Sequence, residues 1–76
     1  MPMRTKEEIS SVLGHRIRTL RIKNKMTMEE LALESGMDYS QLSRIERGKI
    51  NTSVYQVYIL AKVLNVPFDS VFKDLV

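Results

Sequence analysis

The sequence predicts an all-α fold, a bundle of five short helices, and three observations point to it. Helix-start signals of the form Ser/Thr-x-x-Glu/Gln recur at Thr5, Thr27 and Ser53. Apolar residues return at steps of three and four, and no stretch reads as a strand of convincing length. Glycine or asparagine stands wherever one of these periodic runs ends: Gly36, Gly48 and Asn65.

Taken in order, the first helix is expected over residues 6–24, opened by Thr5 with Glu8. Ile9, Val12, Leu13, Ile17 and Leu20 form its apolar stripe. The second, over 28–35, opens on Thr27 with Glu30, buries Leu31 and Ala32, and stops at Gly36 in a left-handed conformation. Asp38 is placed to cap the third, over 39–47, with Gln41 at the reciprocal position, and Leu42 and Ile45 face inward before Gly48. So short a connection makes a tight turn between two crossing helices. Ser53 with Gln56 opens the fourth, over 54–65, whose apolar set is Val54, Val57, Leu60, Ala61 and Leu64. Asn65 ends it ahead of Val66 and Pro67, and a fifth helix follows over 68–75.

Seventy-six residues leave room for one domain, expected to span 1–76 without linker or repeat. A chain of this size buries only ~60% of the surface it exposes when unfolded, so helix packing, self-association or both must stabilise it. With no cysteine and the single histidine His15, neither disulfides nor a structural zinc site is expected, and no cofactor is implied. Apolar runs stop far short of the ~20 residues that a membrane span needs. No apolar signal segment follows the basic residues at the start, so the cytoplasm is the expected location. Ser10, Ser11 and His15 share one helix without an orienting third group, and no glycine-rich phosphate loop occurs, so an enzyme is not expected.

Charge is uneven along the chain. Residues 1–25 hold seven Lys or Arg against two Glu, whereas 26–49 hold three against five acids. A basic face suits a polyanionic partner, although basic residues also serve simply to solvate helix faces.

Two short helices joined through a glycine turn, with polar residues outside on the second, are the arrangement that inserts a helix into the major groove of DNA. Here the sequence becomes specific. The segments Gly14-His15-Arg16-Ile17-Arg18-Thr19-Leu20-Arg21, Thr27-Met28-Glu29-Glu30-Leu31-Ala32 and Ser35-Gly36-Met37 are followed by Leu42-Ser43-Arg44-Ile45-Glu46-Arg47-Gly48-Lys49 and Leu60-Ala61-Lys62-Val63-Leu64-Asn65-Val66. In that order and spacing they resemble the helix-turn-helix family of phage Cro, lambda-type repressors and Xre-like regulators. The resemblance covers residues 14–72.

The resemblance implies a lambda-repressor-like bundle and a regulator that binds double-stranded DNA. It implies that Tyr39, Ser40 and Arg44 face base edges. Thr27, Arg47, Lys49 and Asn51 fall near backbone-contacting positions, and Gln41 and Ser43 are counted with them, the alternative being solvated helix polars. Tyr39 has an alternative too, packing back on the domain. One departure concerns Met28, which stands where many relatives carry a phosphate-gripping Gln. For Arg21 and Glu46 the resemblance implies a buried structural ion pair between the first and third helices.

Homodimerisation is expected through Tyr55, Ile59 and Val63, a second stripe on the fourth helix, with Phe72, Leu75 and Val76. The alternative is that the fifth helix covers that stripe within one chain. A homodimer calls for a pseudo-palindromic operator. The rival function is an antitoxin-type interaction module that binds a toxin partner and autoregulates its operon. A restriction-modification controller fits the size equally well.

Overall fold

Three reciprocal side-chain caps start helices where the sequence signals them. In the computed structural model, which describes residues 3–49 and 52–74, Thr5, Thr27 and Ser53 each accept a hydrogen bond from the amide three residues on. Glu8, Glu30 and Gln56 return one from the cap residue's own N–H. Each pair satisfies two amides that a helix start leaves without partners. The helices are α1 (Lys6–Lys23), α2 (Met28–Ser35), α3 (Tyr39–Glu46) and α4 (Val54–Val63), and no strand occurs among the described residues.

Asp38 is the exception among the caps. Its backbone takes the capping conformation (φ −72°, ψ 148°), but its side chain makes no cap hydrogen bond, and the expected pairing with Gln41 does not form. Tyr39 and Ser40 at the start of α3 are exposed, so water can satisfy the amides there without the carboxylate.

The turn between α2 and α3 depends on Gly36 at φ +68°, a left-handed conformation that side chains rarely adopt. The Gly36 and Met37 amides there bond back to the Leu33 and Ala32 carbonyls, closing the end of α2. Asn65 is left-handed as well (φ 58°), and α4 ends at Val63 with Leu64 as its C-cap, two residues short of the expected boundary at 65.

The fifth α-helix expected over 68–75 is instead a 3-10 helix of four residues, Phe68–Val71. Its bonds span three residues: Ser70 N–H donates to the Pro67 carbonyl and Phe72 N–H to that of Asp69. So short a segment cannot repay α-helix nucleation. Its path is fixed by tertiary contacts, since Val71 is buried and its carbonyl accepts a 3.0 Å hydrogen bond from Arg16 Nη1 on α1. Asp74 at φ 65° has already left helical geometry.

Ile17, Leu31, Ala32, Leu42, Ile45, Leu60 and Leu64 form the main core, with Leu20, Met26, Met28 and Met37 packed on it. Leu13, Val57, Ala61 and Val71 form a second cluster under the 3-10 helix. Val54, expected with the apolar set of α4, is 71% exposed. It is the first residue of α4, one turn before the buried Val57 begins the contact with the second cluster.

Candidate nucleic-acid interface

One flank of α3 is fixed at the level of the backbone. Gly14, inside α1, lies against the last turn of α3, where a Cβ would collide with the Ile45 carbonyl oxygen and sit 2.8 Å from that of Glu46. Gly48 repeats the device, with φ +69° and room for a Cβ only 2.7 Å from Ser11 Cα. The Arg21 and Glu46 side chains, 12% and 4% exposed, join α1 to α3 beside this contact. Arg21 Nε donates to Glu46 Oε2 at 2.8 Å and Nη2 to Oε1 at 3.1 Å, a bidentate geometry. Arg21 Nη1 donates further to the Met26 carbonyl at 2.9 Å, so the guanidinium also holds the α1 to α2 turn.

With Leu42 and Ile45 buried, helical phase turns the opposite face of α3 outward. Tyr39 is 51% exposed, not folded back on the core, and Ser40 and Arg44 are exposed beside it on the same short helix. Gln41 and Ser43 are half-buried. Arg47 and Lys49 are exposed just beyond the helix, in a segment tied down by Lys49 N–H to the Arg44 carbonyl (2.8 Å) and Arg47 Nε to that of Ser43 (3.3 Å). Asn51 lies outside the described residues. The arrangement presents polar groups able to meet base edges, flanked by the two cations just beyond the helix.

At the start of α2, Thr27 is exposed, but its N–H and a hydroxyl lone pair are already engaged with Glu30. Those hydrogen bonds, backbone first, hold the Glu30 carboxyl below the usual carboxylate range. The hydroxyl proton of Thr27 is what remains for a phosphate. Met28 is half-buried against the main core, so the residue that departs from the family pattern fills space inside. Lys25, exposed and left-handed at φ 58°, puts a cation two residues before Thr27. The charge excess of residues 1–25 is the sequence signal for it, but its backbone conformation leaves no local trace.

The outward face of α4 is apolar. Tyr55 is 70% exposed, Tyr58 is exposed with Lys62 Nζ 6.0 Å from its ring centroid, and Ile59 is half-buried. Val63 packs on the main core, and Phe72 packs on the second cluster with its ring 5.1 Å from that of Phe68. Leu75 and Val76 lie outside the described residues. Among the described residues no cluster of three or more His, Asp or Glu has metal-site geometry, and no helix is long and apolar enough to cross a membrane.

Comparison with known proteins agrees with this geometry. Residues 17–71 match the helix-turn-helix family. A transcriptional regulator encoded in the ATPase CF(0) region of Rhodospirillum rubrum is 35% identical over 72 residues, 95% of this chain and 67% of that protein. The restriction-modification controller protein C.AhdI from Aeromonas hydrophila superposes with a TM-score of 0.80 at 33% identity, covering 83% of this chain and 96% of the controller. A chain of the SinR protein/SinI protein complex gives 0.77 at 30% identity over 82% of this chain and 61% of that one.

Proposed function

The chain belongs to the helix-turn-helix family, whose members are transcriptional regulators and no class of enzyme, and from that premise we propose a sequence-specific regulator that reads double-stranded DNA through α3 in the major groove. The observation that carries this reading is the outer face of α3. Tyr39, Ser40 and Arg44 are exposed there and the Arg44 guanidinium has no hydrogen bond or ion pair among the described residues, while the opposite flank of the helix is immobilised. A surface held rigid from behind and free in front is what direct readout needs.

In this reading Tyr39, Ser40 and Arg44 read bases, and Thr27, Gln41, Ser43, Arg47, Lys49 and Asn51 hold the backbone. The protein works in the cytoplasm as a homodimer, the whole chain being one DNA-binding domain. The self-association surface in this reading is Tyr55, Ile59, Val63, Phe72, Leu75 and Val76, to which the exposed Val54 and Tyr58 are added; Val63 and Phe72 are partly buried within the chain. Val54 and Tyr55 are 71% and 70% exposed, large side chains that a small domain gains by covering. A dimer sets its two recognition helices ~34 Å apart and demands a pseudo-palindromic operator. The relatives are regulators and a controller, so the antitoxin-type reading is set aside; the SinR protein/SinI protein complex supports a second protein as a companion of such a domain.

Selection of bound fragments from randomised duplexes at ~150 mM salt tests the proposal, with an inverted-repeat site the expected product. Failure to enrich any sequence would overturn it. Sedimentation of the free protein at micromolar concentration is expected to give a mass of twice 8.8 kDa, and a single-chain mass with and without DNA would remove the dimer.

A further inference from the structure

Arg16 is half-buried on α1 and has no carboxylate partner among the described residues. Its Nη1 donates instead to the Val71 carbonyl at 3.0 Å, across 55 residues of sequence. The bond holds a segment that has little of its own to hold it. Phe68–Val71 is a 3-10 helix of four residues, and its backbone hydrogen bonds, Ser70 to Pro67 and Phe72 to Asp69, stay within the segment. A hydrogen bond from a charged donor is among the stronger ones, and this one ends on a residue that is 1% exposed.

Helical phase sets this bond opposite the contact with α3. At ~100° per residue, Gly14 and Arg21, which meet the end of α3, lie within ~20° of each other around α1, and Arg16 lies ~140° to ~160° away from them. Ile9, Val12 and Leu13, on the Arg16 side, pack in the second cluster with Val71. Helix α1 is therefore a strut between the recognition helix and the C-terminal segment, which leads directly into Phe72 of the proposed self-association surface. We propose that Arg16 is a positioning residue that sets the separation of the two recognition helices in the dimer, and with it the half-site spacing that the protein accepts. The inference rests on the dimeric, DNA-reading role proposed above.

A two-fold interface uses one patch twice, so a displacement within the patch counts twice in the distance between the two α3 helices. One base pair is ~3.4 Å of duplex, so a movement of ~1.7 Å in each subunit exchanges one spacing for the next. On α4 the patch is fixed by its own helix, whose inner face is buried at Val57, Leu60 and Ala61. The part that follows Val71 lacks that support: Phe72 is half-buried, and the turn before it is too short to be stable by itself. Without the Arg16 bond a partner subunit can rock on α4. The recognition helices then lose their fixed separation, while each still reads its own half-site, because the contacts of α1 with α3 are on the other side of the strut.

The test is selection from randomised duplexes with the wild type, Arg16→Met and Arg18→Met, read for half-site sequence and for the separation between half-sites, with thermal melting alongside. Methionine keeps an apolar stem and loses the donor. Arg18 is exposed on the same helix, so its variant controls for the lost charge. The wild type and Arg18→Met are expected to return one separation. Arg16→Met should return the same half-site sequence spread over neighbouring separations, bind the wild-type operator about tenfold more weakly, and bind a single half-site as the wild type does. Arg16→Lys, which keeps a single flexible donor, should give a narrower spread, and it takes the place of Arg16→Met if that variant does not fold. One unchanged separation in the variant that folds would overturn the proposal. An altered half-site sequence would overturn it too, since Arg16 would then support α3. A wild type that enriches half-sites without pairing them would instead overturn the dimer, and one that enriches nothing would overturn the DNA-reading role of α3.

Discussion

The two flanks of α3 are built on opposite principles. Toward α1 the helix is pressed against backbone at Gly14 and Gly48 and locked by the Arg21 to Glu46 pair. Toward solvent Tyr39, Ser40 and Arg44 are exposed, and Asp38 is free of bonds at its end. Truncating the first flank should cost stability, and truncating the second should cost recognition. A recognition helix needs both properties, since a base-reading side chain misplaced by ~1 Å loses its hydrogen bond and a constrained one cannot reach it.

The largest effect is expected at Glu46. Removing one partner of a buried, bidentate pair leaves the other charge buried alone, so Glu46→Ala should lower the unfolding free energy by ~3 to 5 kcal/mol in chemical denaturation. A loss below ~1 kcal/mol would place the pair in the weak class of surface bridges and erase the contrast between the flanks. Gly14→Ala follows at ~3 kcal/mol, the upper end for overpacking, because the added methyl meets main-chain carbonyls that can yield only if α1 and α3 separate. Arg44→Ala is the control in both assays and should stay within ~0.5 kcal/mol in stability.

On DNA the ranking reverses. Arg44→Ala should weaken binding to the best operator by ~1 to 3 kcal/mol and leave random DNA much less affected, because an arginine that forks onto guanine O6 and N7 is read only at its own base pair. Arg47→Ala and Lys49→Ala should weaken cognate and random duplexes alike and flatten the salt dependence by about one unit per lost phosphate contact in each subunit. Equal losses on both duplexes for Arg44→Ala, with a shallower salt slope, would make Arg44 a backbone anchor and leave α3 without its chief reader.

How much of this was legible beforehand depended on whether a feature is local. The caps at Thr5, Thr27 and Ser53 and the turn at Gly36 are contained in four or five consecutive residues, and each formed as spelled out. The fifth helix misled because Phe68 to Val71 follows tertiary contacts: Arg16 holds the Val71 carbonyl across 55 residues of sequence. Val54 kept the apolar period of α4 but is 71% exposed at the helix start. Asp38 carried a capping signal that the exposed turn does not use. The close approach at Gly14 did have a signal, since a glycine inside a continuous helix costs ~1 kcal/mol and so marks a neighbour that leaves no room for a side chain.

The smallest expected effect separates the two helix starts within the helix-turn-helix unit. At α2 the Glu30 carboxylate accepts from Thr27 N–H at 2.8 Å, and this hydrogen bond holds its pKa below the ordinary carboxylate range. A carboxyl whose folded pKa is depressed contributes stability that is present at neutral pH and lost as the pH falls through that lowered value. Glu30→Gln keeps an acceptor at the same place but removes the titration. The variant should therefore melt slightly below the wild type at neutral pH and converge with it in acid, where the wild-type carboxyl is protonated. Glu8, held down in the same way by Thr5, leaves a residual acid dependence in both proteins, so only their difference is informative. At α3, Asp38→Asn removes no hydrogen bond and should leave neutral-pH stability within ~0.5 kcal/mol. A melting difference between Glu30→Gln and wild type that persists unchanged into acid would mean that the charge of Glu30 plays no part in closing α2, and the contrast between a closed and an open helix start would rest on shape alone.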